Sequence, residues 1–272
     1  MGDIAGMTLP TLFIPHGGGP CFFMDPAGGP PDPMWQPMQA YLAGLIASLP
    51  ERPQAILLIS GHWEERDVTV HVGDGQPLLF DYYGFPEHTY RLRWDAPGAP
   101  EVALRAKTLL EAAGFPAGVE RERGWDHGVF IPMKVAVPDA DIPLVQVSLR
   151  ADLDPAAHVA IGKALAPLRD EGVLIVGSGM SFHNLRVRGP QATPYADAWD
   201  EALVEAATDP DPARREARII AWRDLPYAEF AHPREEHLLP LMVALGAGGE
   251  GPAVCDYRDH VLGWAVSGFR FG

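Results

Sequence analysis

The chain has 272 residues, with 21 Lys and Arg against 36 Asp and Glu, and a formal net charge of −15 with histidine neutral. Apolar residues make up 47% and charged residues 21%, an ordinary globular balance that buries a sizeable core without staples. The acidic balance excludes a nucleic acid or an anionic membrane as partner, because both need a basic face.

The first ten residues, Met1 to Pro10, hold no basic region before an apolar run, so no secretory signal is expected. Thr11-Leu12-Phe13-Ile14 then reads as a strand running into Pro15-His16-Gly17-Gly18-Gly19-Pro20. Asp25 to Pro37 is rich in Pro and Gly and reads as a loop. Ala55 to Ile59 is a second strand, running into Ser60-Gly61-His62-Trp63-Glu64, and Asp67 to Pro97 a strand and loop excursion. Glu101 to Ala113 is an amphipathic helix stopped by Gly114. Gly124-Trp125-Asp126-His127-Gly128 is a polar turn before an apolar run. Pro143 to Leu149 is a third strand, and Pro155 to Arg169 a helix with Asp154 as its N-cap. Val173 to Val176 is a fourth strand, running through Gly177-Ser178-Gly179 towards His183. Tyr195 to Ala207 and Pro212 to Trp222 are helices. Pro233 to Leu245 is another; Glu235 and Glu236 are alternative ligands there, with complementing the helix dipole the favoured reading.

Continuous apolar strands alternating with helices predict an α/β fold. The expected form is a three-layer α/β/α single domain over residues 1–272, with a central, largely parallel or mixed sheet. No apolar run reaches the roughly 18 residues of a membrane span. Cys21 and Cys255 are too few for a disulfide framework or a thiolate zinc site and fit a reducing, cytoplasmic setting.

Of the 10 histidines, His16, His62 and His183 each follow a strand. Ligands of open α/β sheets bind at the carboxyl ends of strands, so these three can converge. On the residues alone, a metal site and three structural histidines stand side by side. His237 is a fourth candidate. It does not form a His-Glu-x-x-His motif with His232, because the two are five apart with Pro233 between. His127 is either a pocket-wall imidazole or a solvated residue behind an Asp126 N-cap. His71, His158 and His260 read as structural, and His88 is undecided.

The motifs around these histidines resemble the class III extradiol ring-cleavage dioxygenases, in particular the 4,5-DOPA dioxygenase-like branch. The matching stretches run in family order. They are Pro15 to Pro20, Ser60 to Glu64, Tyr83 to Glu87, Trp125 to Gly128, Pro138 to Pro143, Gly177 to Gly179 with His183-Asn184-Leu185, and Glu236 to Leu241. The resemblance implies one mononuclear site with His16, His62 and His237 as metal ligands, where the wider class has two histidines and a glutamate. It implies Fe(II) for activity, with Zn(II) possible in the isolated protein. His183 matches the acid/base histidine and His127 a histidine that handles substrate or protons; whether His183 also touches the metal stays open.

The implied reaction joins O2 to a small aromatic diol of the catechol type and gives a muconic semialdehyde-type product. Aromatic residues near the motifs (Phe22, Phe23, Trp63, Tyr82, Tyr83, Phe85 and Phe182) are candidate walls for the pocket. Two rival readings remain at this point: a zinc-dependent hydrolase, and a non-catalytic interaction protein on the same fold. Arg91, Arg93, Arg186 and Arg188 are equally candidate carboxylate clamps and surface charges. The particular catechol and the oligomeric state are not legible.

Overall fold

The four apolar runs form the middle of one sheet. In the computed structural model, which describes residues 8–272, β1 is Thr11–Pro15 and is followed by α1, Gln36–Ala43. The expectation about the N-terminal segment falls mostly on residues 1–7, outside the described residues. Next come β2 (Ala55–Glu65), β3 (Thr69–His71), α2 (Pro100–Ala112), β4 (Gly118–Glu120) and α3 (His127–Ala136). They are followed by β5 (Leu144–Arg150), α4 (Pro155–Leu165), β6 (Val173–Gly179), α5 (Thr193–Ala207) and α6 (Pro212–Ile220). The chain ends with α7 (Ala228–Ala231), α8 (Leu239–Gly248), β7 (Ala253–Val261) and β8 (Trp264–Phe271).

The sheet has eight strands in the order β4-β3-β5-β2-β6-β1-β8-β7. Its centre, β5-β2-β6-β1, is parallel; Leu12 pairs with Val176 and Leu57 with both Ile175 and Val145. These strands are buried on both faces, which is why they carry no polar alternation. Both flanks turn antiparallel, β3 against β5 and β8 against β1. The sheet is therefore mixed.

Helices cover both faces, and β6 shows how. A Cβ on Gly177 would lie 2.2 Å from the Pro240 carbonyl oxygen at the start of α8. The next residue points the other way, and the Ser178 hydroxyl donates to the Gly128 carbonyl in α3. So α8 and α3 lie on opposite faces, each drawn close to the end of β6.

Three expected boundaries move. The loop expected over Asp25 to Pro37 gives way to α1, which uses Pro37 in its first turn and buries Met38 and Leu42. Strand β2 continues to Glu65, with a shift of register between Ile59 and Glu64. His62 therefore sits inside that irregular stretch and not in a loop beyond the strand. The last apolar helix begins at Leu239 rather than Pro233, because Pro240 has no N–H to donate to a preceding turn. His237 thus lies in the turn before α8, not in its first turns.

Candidate metal centre

At the carboxyl ends of β1, β2 and β6 the chain gathers five of its histidines in two adjoining groups, His16, His62 and His127 in one and His183 and His237 with Glu236 in the other. His16 follows β1 directly, and its backbone N–H donates to the Gly179 carbonyl at the end of β6 (3.1 Å). His62 comes from the irregular end of β2. His237 comes from the turn before α8, whose carbonyl oxygen accepts from the Met180 N–H (3.1 Å). The Nε2 atoms of His16 and His237 each lie 3.2 Å from Nε2 of His62.

Hydrogen bonding decides which nitrogens are free. The Ser178 hydroxyl spends its proton on the Gly128 carbonyl, so it accepts from His16 Nδ1–H at 3.2 Å. His237 Nδ1–H donates to Glu236 Oε1 at 2.8 Å. Both rings therefore present an Nε2 lone pair towards His62 Nε2, which can carry only one proton. One proton cannot satisfy two lone pairs that converge from different directions, whereas a divalent cation between three imidazole nitrogens can. The donor set fits such an ion.

Charge points the same way. Burial, and after it the neighbouring His62, His237 and His127, holds His16 well below the ordinary histidine range. Burial and the charge of His183 do the same to His237. His62 is pushed down to about 4 by burial and His127. These rings are neutral at physiological pH, which is the state that ligates metals.

His127 is the first residue of α3 and is buried, so the solvated alternative is overturned. Asp126 does not cap the helix. Its carboxylate is fully buried and accepts from Ser60 Oγ (2.8 Å), Arg123 Nη1 (2.9 Å) and Gln146 Nε2 (2.6 Å). Asp81 does the capping instead: its Oδ1 accepts from the His127 N–H (3.0 Å) and from His127 Nδ1 (2.8 Å). The His127 ring centroid lies 4.0 Å from that of His62. Burial pulls the Asp81 carboxyl up, but its bond to His127 and the charges of His127 and His62 hold it below its ordinary value.

His183 stacks on His237 with centroids 3.5 Å apart and planes 18° apart. Its Nδ1 lies 3.4 Å from Glu236 Oε1, the same oxygen that His237 uses. The reading of Glu236 as a dipole complement is therefore wrong, because it faces two imidazoles and caps nothing. Glu235 pairs instead with Arg223 (2.6 Å). Burial raises Glu236, but the hydrogen bond and charge of His183, with Arg234, bring it below its ordinary value.

The remaining histidines lie elsewhere. His71 packs on Trp125, and His158 Nδ1 reaches the Asp154 carbonyl (2.7 Å). His260 pairs with Asp197 on the surface, and His88 reaches the Phe23 carbonyl (3.1 Å). Asp81 is the carboxylate beside these histidines that the sequence does not mark, since it meets His127 only in space; Glu236, an alternative ligand in the sequence, lies against Nδ1 of His237 and of His183.

A cleft of about 140 Å³ opens on His16, His183 and His237. It is small beside the roughly 300–1,000 Å³ of drug-sized sites and suits one small ring. Its aromatic walls are Trp35 and Trp264 rather than the aromatics expected from the motifs. Among those, Tyr82 borders His127 (5.8 Å) and Phe85 packs on Tyr82 (5.4 Å). Phe22 and Phe182 stand behind Trp35 and Trp264, and Tyr83 is 91% exposed. Among the described residues, no helix is long and apolar enough to cross a membrane.

Comparison with known proteins agrees with this geometry. Residues 10–266 match the family described as the catalytic LigB subunit of aromatic ring-opening dioxygenase. The chain is 36% identical over 283 residues to "Dioxygenase tasH" of Hapsidospora irregularis, covering 97% of this chain and 85% of that one. It is 40% identical over 207 residues to "4,5-DOPA dioxygenase extradiol" of Beta vulgaris, covering 74% of this chain and 75% of the relative. The crystal structure of an uncharacterized Escherichia coli K12 protein superposes with a TM-score of 0.77 at 30% identity, covering 97% of this chain and 100% of that one.

Proposed function

The chain belongs to the LigB family of extradiol aromatic ring-opening dioxygenases, a metal-dependent family, and from that premise we propose that it opens a catechol-type ring with O2 to a muconic semialdehyde-type product, acting over its full length as one catalytic domain. The observation that carries the reading is the meeting of the His16, His62 and His237 Nε2 lone pairs. These three residues would hold the ion. When bound, Fe(II) would supply the Lewis acidity and one-electron chemistry that let O2 react with an aromatic diol.

The chain's own groups do the rest. Glu236 faces His183 Nδ1, which leaves Nε2 as the nitrogen that takes a hydroxyl proton from the diol. The same imidazole returns that proton to the product, which closes the proton count, while diol plus O2 balances with both oxygen atoms in the ring-opened product. Asp81 fixes His127 through Nδ1, which turns its Nε2 inward to orient the diol. Trp35 and Trp264 keep bulk water off the reacting ring.

Oxygen uptake by iron-reconstituted protein over a small panel of catechols, with product absorbance, tests the activity. His16→Ala, His62→Ala and His237→Ala are each expected to lose the metal. His183→Ala is expected to keep it and to lose about 10²–10⁴-fold in turnover. Stoichiometric metal in any of the first three variants removes that residue from the ligand set. Ester or amide hydrolysis without oxygen uptake turns the reading to a zinc hydrolase.

A further inference from the structure

A buried ion pair stands beside the histidines with no part in the chemistry above. Asp126 and Arg123 meet at 2.9 Å, with the carboxylate fully buried and the guanidinium side chain 18% exposed. Taking two charges out of water costs about as much as their attraction returns, so apolar residues of the same volume would serve folding as well. What such a pair adds is direction, because a guanidinium carries five donors in a fixed plane.

Its hydrogen bonds reach a residue of the metal centre. His62 lies between Ser60, the last residue of β2 in register with β6, and Glu64, where register with β5 resumes. Among the described residues, Gly61, His62 and Trp63 have no partner in register on either neighbouring strand, so the sheet ladder does not set where they lie. Two side chains do. The His62 N–H donates to Ser60 Oγ (3.1 Å), and the Ser60 hydroxyl donates to Asp126 Oδ1 (2.8 Å). Arg123 Nη2 donates to the His62 carbonyl (3.1 Å), while its Nη1 donates to Asp126 Oδ2 (2.9 Å). The peptide groups on both sides of the His62 Cα are thereby tied to one carboxylate. That carboxylate is held in turn by Gln146 Nε2 from β5 (2.6 Å), and the guanidinium lies 5.1 Å from the centroid of the buried Trp63 ring.

We infer that Asp126 and Arg123 are positioning residues that fix the His62 backbone, so that its Nε2 meets those of His16 and His237. This rests on the reading of His62 as a metal ligand and not on the reaction that follows. A ligand on a stretch that no ladder fixes would have to be ordered by the ion, and that ordering would come out of the affinity. A satisfied polar network holds the stretch rigid before the ion arrives. Asp126 also directly precedes His127, so the same carboxylate joins His62 to the start of α3 and sets the two rings side by side, 4.0 Å apart.

The test measures zinc affinity of the full chain by chelator competition, and the visible spectrum of the cobalt-loaded protein. Arg123→Met is expected to weaken zinc by about 10–100-fold and to change the cobalt spectrum. Ser60→Ala leaves the ion pair in place and removes only the link from the His62 N–H; it is expected to move both readouts the same way by less. Arg123→Lys keeps the charge but lacks the fork that reaches Asp126 and the His62 carbonyl together, so it is expected to fall between wild type and Arg123→Met. Gly246→Ala disturbs the contact between α4 and α8 and touches none of these groups. It is expected to lower the thermal midpoint of the metal-free protein with zinc affinity unchanged, which separates lost stability from lost position. Arg123→Met and Ser60→Ala proteins that both bind zinc like wild type, while His62→Ala loses it, overturn the inference and leave the ligand set standing. Should Arg123→Met fail to fold, Ser60→Ala and Arg123→Lys decide by the same comparison. A His62→Ala protein with wild-type zinc affinity removes the ligand reading and the inference together.

Discussion

At the scale of single residues, one carboxylate oxygen organises two imidazoles with different tasks. Glu236 Oε1 accepts from His237 Nδ1 at 2.8 Å and faces His183 Nδ1 at 3.4 Å. Its other oxygen lies 3.4 Å from Arg234 Nη1 without forming a hydrogen bond. A carboxylate behind a metal-binding histidine fixes its tautomer and raises its basicity. Glu236→Gln keeps the shape and removes the charge. It is expected to weaken metal retention against a chelator by about 10–100-fold and to lower turnover, with thermal unfolding little changed. A variant that matches wild type in chelator competition shows that the carboxylate does not support the site. The histidines themselves were legible in the sequence: His16 and His183 follow apolar strands, His62 follows the apolar run of β2, and His237 precedes the last apolar helix. Asp81 was not, and Glu236 was legible only as an alternative ligand behind a blander use. An acid near a helix start has a bland use as a dipole partner, and only the turn before Pro240 shows that Glu236 serves no helix end. Asp81 meets His127 across 46 positions, and nothing local marks that pairing.

Among the elements, α4 and α8 approach each other through glycine. A Cβ on Gly246 would lie 2.1 Å from the Val159 carbonyl oxygen, and one on Gly162 would lie 2.1 Å from the Val243 carbonyl oxygen. Each helix thus sets its backbone against the other's glycine. Helix propensity alone would make Gly246→Ala stabilising by about 1 kcal/mol. The contact is with main-chain atoms that cannot turn aside, so the overpacking cost of about 1–3 kcal/mol wins. Gly246→Ala is expected to lower the thermal midpoint by several degrees; an equal or higher midpoint means the two helices can part freely. The same helix explains a boundary the sequence misplaced. Every residue of Leu239–Gly248 is buried, so no polar face marks where the helix starts. The β7–β8 hairpin escaped notice for the opposite reason. Strand β7 mixes Asp256, Arg258, Asp259 and His260 with apolar residues and never forms a continuous apolar run. Asp154, by contrast, was readable as a cap from its place before Pro155, and it accepts from the Ala157 N–H at 2.6 Å.

Over the whole molecule, buried histidines couple stability to pH. His232 is buried between Trp199 and Trp222, and its Nε2 donates to the Ser181 carbonyl at 2.9 Å. Burial pushes it down to about 4. His158 and His71 are lowered by the same cause. In the unfolded chain these rings titrate near about 6.5. Between that value and the folded one, the unfolded state binds more protons, so stability rises with pH. It is therefore complete above about pH 6.5 and is lost as pH falls towards 4, by on the order of 2 kcal/mol at pH 5 for His232 alone. Denaturant midpoints measured between pH 7.5 and 5 on chelator-treated protein are expected to fall, and His232→Leu to flatten that fall. The Ser181 carbonyl keeps its bond from Trp199 Nε1 (2.6 Å) in the variant, so the slope isolates the imidazole. An unchanged slope in His232→Leu assigns the acid sensitivity to other groups. The acidic surface adds its own term in the other direction. Protonating carboxylates relieves the repulsion of a chain at −15, so the histidine loss stands out only above the carboxylate range, and pH 5 is where the two separate.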